Sequence, residues 1–193
     1  MTEEQVNGGE EKKEEKKEEV KEEVKINLDS NPVVKIVKGH FSEDITEAYC
    51  FQDKEDELTL KVKKEKIKEV GQFVKNHPEL EFTYLCDITG VDYPDREQRF
   101  DLVYHLYSVN KNLRLRLRIS FRENEAVDSV TSVWKGAEAY EREAFDMLGI
   151  KFEGHPNLKR ILMPDDWEGH PYRKDYPLED QKTPKQRLSR PKY

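Results

Sequence analysis

Residues 100–119 read Phe100-Asp101-Leu102-Val103-Tyr104-His105-Leu106-Tyr107-Ser108-Val109, then Asn110-Lys111-Asn112, then Leu113-Arg114-Leu115-Arg116-Leu117-Arg118-Ile119. The last seven alternate aliphatic and arginine residues at period two, and successive side chains of an extended strand point to opposite faces. A strand with its leucines on one side and its arginines on the other belongs to a sheet with one packed face and one solvated or salt-bridged face. The first ten form a long apolar and aromatic run, and the Asn-Lys-Asn between them is turn chemistry. The pair predicts the central hairpin of a domain.

The flanking segments supply the other layer. Ser30-Asn31-Pro32 places a capping side chain before a proline at the first helical position, and Val33, Ile36 and Val37 share a face until Gly39, which predicts a short helix. Ile45 to Phe51 and then Leu58, Leu60 and Val62 predict two strands joined by the charged loop 52–56. Ile67, Val70 and Val74 recur at helical spacing before Pro78, and Phe82 to Ile88 follows as a strand. From Trp134 to Leu148 the spacing predicts a helix with Val133, Ala137, Tyr140 and Ala144 on one stripe and Gly149 as its stop. Helices and hairpins in this order imply an α+β fold over residues 26–150, a two-layer domain with a mixed sheet of about five strands packed on helices.

Two segments of other character frame that domain. Residues 1–25 hold ten Glu and six Lys with almost nothing to bury, which predicts a charged, disordered N-terminal arm. Residues 151–193 are punctuated by Pro156, Pro164, Pro171, Pro177, Pro184 and Pro191, so this segment should run extended. It still carries Phe152, Leu158, Ile161, Leu162, Met163, Trp167 and Tyr172, more apolar surface than a free tail tolerates, and therefore reads as a strap that docks on a partner.

Composition excludes several classes of function. The 193 residues are 39% charged and 35% hydrophobic, with no run of the roughly 18 apolar residues that a membrane helix needs and no secretory-type apolar segment near Met1. The net charge of -7 argues against a general nucleic-acid binder. Cys50 and Cys86 belong to no C-x-x-C pair, which disfavours a disulfide framework, a zinc ribbon or a self-sufficient iron–sulfur site, and both thiols read as buried. No glycine-rich nucleotide fingerprint occurs.

Individual residues offer weaker chemical readings. His155 and His170, each in a Gly-His-Pro triplet, bracket Asp165 and Asp166, a set imaginable as a metal site, although the spacing matches no metal motif and interface histidines fit better. Arg114, Arg116 and Arg118, with Tyr104 and Tyr107, could form an RNA-binding sheet, against which the overall acidity counts. Glu138, Arg142 and Asp146 stand at helical i,i+4 spacing, so Arg142 can reach a carboxylate on either side. Glu141 shares a face with Trp134, Phe145 and Leu148, where its carboxylate needs a cation or a backbone donor.

The stretch Glu141-Arg142-Glu143-Ala144-Phe145-Asp146-Met147-Leu148-Gly149-Ile150, with Gly154-His155-Pro156, Lys159-Arg160-Ile161-Leu162-Met163-Pro164, Asp165-Asp166-Trp167-Glu168-Gly169-His170-Pro171 and Arg173-Lys174-Asp175-Tyr176-Pro177-Leu178, resembles the signature of the 30 kDa subunit family of proton-translocating NADH-quinone oxidoreductase, respiratory complex I. Asp87-Ile88-Thr89-Gly90-Val91-Asp92 is similar as well. Leu148 stands where the pattern leads one to expect an aromatic residue, and Tyr172 where it has Leu. The resemblance implies a peripheral-arm subunit on the cytoplasmic face of the cell (inner) membrane, attached only through the complex. It implies no catalytic residue, no metal and no cofactor on this chain, with FMN and iron–sulfur clusters in other subunits. The implied partners are the quinone-site subunit and the iron–sulfur subunits of the peripheral arm, with no nucleic acid. The implied interface residues are Glu141, Arg142, Glu143, Asp146, His155, Arg160, Trp167, His170, Arg173 and Lys174. A ferredoxin-, deazaflavin- or hydrogenase-linked complex would use an equivalent subunit.

Overall fold

In the computed structural model the described residues are 28, 31–51 and 54–177. The predicted N-terminal arm, and the strap beyond Pro177, lie outside them.

Asn31 caps the first helix, α1 (Pro32–His40), by accepting a hydrogen bond from the Val33 N–H at 2.9 Å, and Pro32 occupies the first helical position. Strands β1 (Ile45–Phe51) and β2 (Lys54–Val62) follow as a hairpin. Its loop is shorter than the predicted 52–56, because pairing persists to Phe51 opposite Lys54. Helix α2 (Ile67–Asn76), entered through a 3-10 turn at Lys64–Lys66, leads to β3 (Tyr84–Asp92). That strand starts and ends later than the sequence predicted. The Phe82 N–H still bonds the Val74 carbonyl at the end of α2, and the left-handed Glu81 (φ 48) turns the chain only there. At the far end β3 stays paired to Asp92 opposite Phe100.

The central hairpin is β4 (Phe100–Ser108) and β5 (Leu113–Phe121), in register from Phe100 opposite Phe121 to Ser108 opposite Leu113. The sheet order is β1-β2-β5-β4-β3, antiparallel except where β2 runs parallel to β5, so the sheet is mixed and five-stranded as predicted. Leu115, Leu117 and Ile119 enter the core with Leu60, Leu102, Tyr104, Val34, Val70 and Ala137, while Arg114, Arg116 and Arg118 lie on the opposite face. Burying one such aliphatic side chain stabilises by roughly 1.5–3 kcal/mol, which is why this alternation fixes the register. Tyr104, opposite Leu117 and wholly buried, is on the core side, so the arginine row and Tyr104 do not share a surface.

A further correction concerns Cys86, which is exposed, whereas Cys50 is buried. The β3–β4 register shifts between Leu85 and Asp87, a bulge that places two residues between the buried Leu85 and Ile88 and turns Cys86 onto the open face.

After β5, the short strands β6 (Val127–Asp128) and β7 (Phe152–Glu153) pair in parallel, and between them runs α3 (Ala137–Leu148). This helix begins three residues later than predicted, since the Val133 and Trp134 amides both close onto the Val130 carbonyl in a turn. Trp134 is buried and donates its indole N–H to the Phe82 carbonyl at 3.1 Å. α3 lies against β3, with Leu148 packed so closely on Gly90 that a Cβ there would collide with it.

Candidate functional site

Helix α3 carries two fully buried carboxylates, Glu141 and Asp146, each at 0% exposure. Glu141 accepts hydrogen bonds from the Ser129 hydroxyl and the Val130 N–H, both at 2.7 Å. The backbone donor that its burial required thus comes from the segment that β6 leads into. Burial raises the Glu141 carboxyl above its ordinary range, with the two hydrogen bonds opposing this in part.

Asp146 organises the chain beyond Ile150. One carboxylate oxygen, Oδ2, accepts the consecutive N–H groups of Ile161 (3.0 Å), Leu162 (2.8 Å) and Met163 (2.8 Å), while Oδ1 takes the Arg160 guanidinium at 2.6 Å. Successive amides wrapped around an anion form a nest, here closed by an arginine. Burial would push this carboxyl up, and the Met163, Arg160, Leu162 and Ile161 donors outweigh it, so it stays below the ordinary aspartate value. Arg160 also donates to the Trp167 carbonyl at 2.8 Å and the Gly169 carbonyl at 3.1 Å, closing residues 160–169 into one loop.

The helix ends in carbonyls that need partners, and the same segment supplies them. His170 Nδ1 donates to the Asp146 carbonyl at 2.9 Å, the Tyr172 N–H to Met147 at 3.0 Å, and Arg173 Nε to Leu148 at 2.6 Å. Gly149 takes the left-handed φ of 79° that ends the helix, and a Cβ there would meet His170 Nε2 at 2.6 Å. The guanidinium of Arg142 reaches neither Glu138 nor Asp146. It donates instead to the Lys159 and Arg160 carbonyls at 3.1 and 2.9 Å, and the predicted ion-pair ladder gives way to a second bond onto the returning chain. His155 Nε2 lies 3.1 Å from the Glu138 carbonyl.

A second carboxylate cluster fastens the far end. Asp92 accepts both Nε and Nη2 of Arg99 (2.7 and 2.9 Å) and the Lys174 N–H (2.8 Å). Arg99 also pairs with Glu123 and Asp175, both at 2.9 Å, and Arg173 bonds Glu123 at 2.6 Å. The bidentate Arg99 bond holds the Asp92 carboxyl below its usual range. Among the residues proposed from sequence, Glu141, Asp146, Arg142, Arg160, His155, His170 and Arg173 all make bonds within the chain. Trp167 is half-buried, and its buried indole nitrogen has no hydrogen-bond partner among the described residues. Glu143 and the Lys174 side chain are exposed. Outside the clamp stand Ile161, Leu162 and Tyr172, exposed by 40, 57 and 61%. Arg99 and Glu123 escaped sequence reasoning, since nothing in their local pattern marks a contact with residues 173–175.

The clamp falls inside the region, residues 60–182, that matches the family model described as the respiratory-chain NADH dehydrogenase, 30 Kd subunit. The chain belongs to this 30 kDa subunit family. It is 51% identical over 123 residues to an NADH-quinone oxidoreductase subunit from Roseiflexus sp. (strain RS-1), a match that covers 63% of this chain and 71% of the relative. With an NADH-quinone oxidoreductase subunit from Citrifermentans bemidjiense it shares 42% identity over 164 residues, 83% of this chain and 99% of that one. Among solved structures, a chain of the membrane-bound sulfane sulfur reductase, an archaeal respiratory membrane complex, superposes with a TM-score of 0.63 at 27% identity, covering 76% of this 30 kDa family member and 85% of that chain. No helix among the described residues is long and apolar enough to cross a membrane, and no group of three His, Cys, Asp or Glu there could hold a metal ion.

Proposed function

We propose that this chain is a structural subunit of the peripheral arm of an NADH-quinone oxidoreductase, holding no cofactor and supplying no catalytic residue. FMN and iron–sulfur clusters in other subunits carry electrons from NADH to quinone, coupled to proton translocation. Its partners are the quinone-site subunit and the iron–sulfur subunits, and it reaches the cytoplasmic face of the membrane only through them. The observation that carries the reading is the Asp146 clamp. It fastens the returning chain to α3 and leaves Ile161, Leu162 and Tyr172 outward on a pre-ordered loop.

Each aliphatic side chain buried against a partner contributes roughly 1.5–3 kcal/mol, and a loop already ordered loses little further entropy on docking. The charged residues therefore act as positioning residues and the apolar ones as contacts. Purification of the native complex through a tag on this chain tests the reading. Leu162→Asp together with Ile161→Asp should abolish co-purification of cluster-bearing subunits while the isolated chain keeps its unfolding midpoint. Intact assembly of the double variant refutes it.

The likeness to a chain of the sulfane sulfur reductase favours one second reading, an equivalent place in a related complex with a ferredoxin-, deazaflavin- or hydrogenase-type electron input. Oxidation of NADH by the purified particle supports the first reading, and assembly without NADH oxidation supports the second.

A further inference from the structure

The segment that closes over the end of α3 carries a titratable ring among its arginines. The carbonyl of Asp146 accepts His170 Nδ1 at 2.9 Å and lies 3.4 Å from Arg160 Nη1. A carbonyl oxygen can only accept, so Nδ1 carries the proton and the neutral ring has a bare Nε2. His170 Nε2 and Arg173 Nη2 lie 2.6 and 2.7 Å from one point, the position that a Cβ on Gly149 would take, which makes the two nitrogens neighbours across that glycine.

The charges that face this ring are Arg160 from the loop, Arg173 from its own segment and the Asp146 carboxylate from α3, whose Phe145 ring stands edge-on at 6.4 Å. The negative groups here are already committed, Asp146 to Arg160 and three amides, and Glu123 to Arg173 and Arg99. A proton on Nε2 adds a third cation beside two guanidinium groups and sets a donor against the donor Arg173 Nη2. The C-terminus of a helix attracts cations, but Arg160 and Arg173 already bond its Asp146 and Leu148 carbonyls. Burial of the half-buried ring is the largest influence and holds it below the ordinary histidine value. The bond to the Asp146 carbonyl opposes this, and Arg173 and Arg160 add to it.

We infer that His170 is a pH-sensitive latch: on gaining a proton in mild acid it releases residues 170–176 from the end of α3, while the Asp146 nest stays closed. Once released, the ring takes the ordinary value of about 6.5. The closed form has the lower value, so its stabilisation is fully present above about pH 6.5 and is lost as pH falls from there toward the closed value. One proton changes the opening constant by at most about tenfold per pH unit. The aspartates of the clamp respond only in stronger acid, because they are held below ordinary aspartate values. The latch belongs to the chain alone; only its consequence, that mild acid loosens a surface a partner reads, rests on the function proposed above.

Two measurements on the full chain test it: NMR titration of the His170 Cε1–H signal, and amide exchange of Tyr172, whose N–H donates to the Met147 carbonyl. The His170 midpoint should lie below about 6.5, and protection of Tyr172 should be constant above that pH and drop by up to about tenfold per unit below it. Ile161, Leu162 and Met163 should keep their protection over the same range, since the Asp146 oxygen that binds them stays charged. In His170→Asn the side-chain amide nitrogen takes the place of Nδ1 without titrating, so the Tyr172 profile should become flat. A midpoint at or above about 6.5, a wild-type Tyr172 profile without the drop, a drop that His170→Asn retains, or parallel loss at the Ile161–Met163 amides overturns the proposal. If that variant fails to fold, the wild-type midpoint and profile decide. A latch that passes stands even where the Ile161, Leu162 double variant assembles, an outcome that refutes only the function proposed above.

Discussion

Replacing Asp146 by Asn keeps shape and volume while removing the charge and half of the acceptor capacity. In the wild type Oδ2 serves three backbone N–H groups and Oδ1 serves Arg160 at 2.6 Å. The amide oxygen of Asn can face only one of these two sets, so its NH2 meets either the Arg160 guanidinium or the Ile161–Met163 amides, donor against donor. Breaking a buried pair on one side costs about 3–5 kcal/mol, and because the Arg160 side chain keeps 16% exposure the lower end applies, about 3 kcal/mol. The loss should be local. The clamp lies on the C-terminal end of α3, while the core runs from Leu60 and Leu117 to Val34 and Val70. Amide hydrogen exchange at Ile161, Leu162 and Met163 should accelerate about a hundredfold, with protection of β4 and β5 unchanged. Unaltered exchange at those three amides would refute the claim that Asp146 fastens the returning chain.

Acidification gives a related expectation. Asp146, Asp92 and Asp175 are all held below ordinary aspartate values, so their stabilisation is fully present above the unfolded value of about 3.9 and is lost as pH falls through their folded values. The opening free energy of residues 160–175, from hydrogen exchange, should stay flat at neutral pH and collapse in strong acid. Glu141 has the opposite sign, because burial raises it, so its favourable contribution is lost as pH rises through the folded value. Urea unfolding of Glu141→Gln should therefore gain on the wild type as pH rises above the unfolded glutamate value of about 4.3. Gly149→Ala should destabilise by about 2 kcal/mol, since φ is 79° and the new Cβ meets His170 and Arg173 ends that are themselves tied by hydrogen bonds. Gly136→Ala, at a right-handed position with nothing near its Cβ, should be neutral or mildly stabilising in the same denaturation series.

The parts of the fold that periodicity could reach are those where one physical demand dominates. The Leu-Arg alternation of residues 113–119 had to be a one-sided strand, and Asn31-Pro32 had to open a helix, because burial and capping leave no competing arrangement. Boundaries moved where tertiary contacts intervened: Phe82 remained with α2, and Cys86 was carried to the open face by a bulge that alternation cannot register. At the site, the need of Glu141 for a backbone donor was readable from its place on an apolar face, and the identity of that donor, Val130, was not. Arg142 shows the converse. Its i,i+4 carboxylates were available, yet the Lys159 and Arg160 carbonyls compete for the same guanidinium with the chain folded over them. Arg99 joins Asp92, seven residues before it, to Glu123 and Asp175, which lie tens of residues further along, and no local pattern encodes such a meeting.

The two kinds of residue in the clamp make different demands on assembly, and this separates a holding role from a contacting one. If the clamp must be closed for a partner to dock, apparent affinity falls only by the fraction of molecules that are closed. A wild-type clamp more stable than about 3 kcal/mol would survive Asp146→Asn with most molecules still closed, so that variant should bind its partners almost normally despite its hundredfold faster exchange. Arg160→Ala belongs with it, since it removes bonds to Asp146, Trp167 and Gly169 inside the chain. Leu162→Asp acts differently: its side chain is 57% exposed and only its N–H takes part in the nest, so exchange should be unchanged while binding is lost. Measuring both exchange and co-purification on these variants yields a crossed pattern if charge holds and apolar surface recognises. Parallel losses in both measurements for all of them would mean that closing and docking are one event, with the nest forming only against the partner.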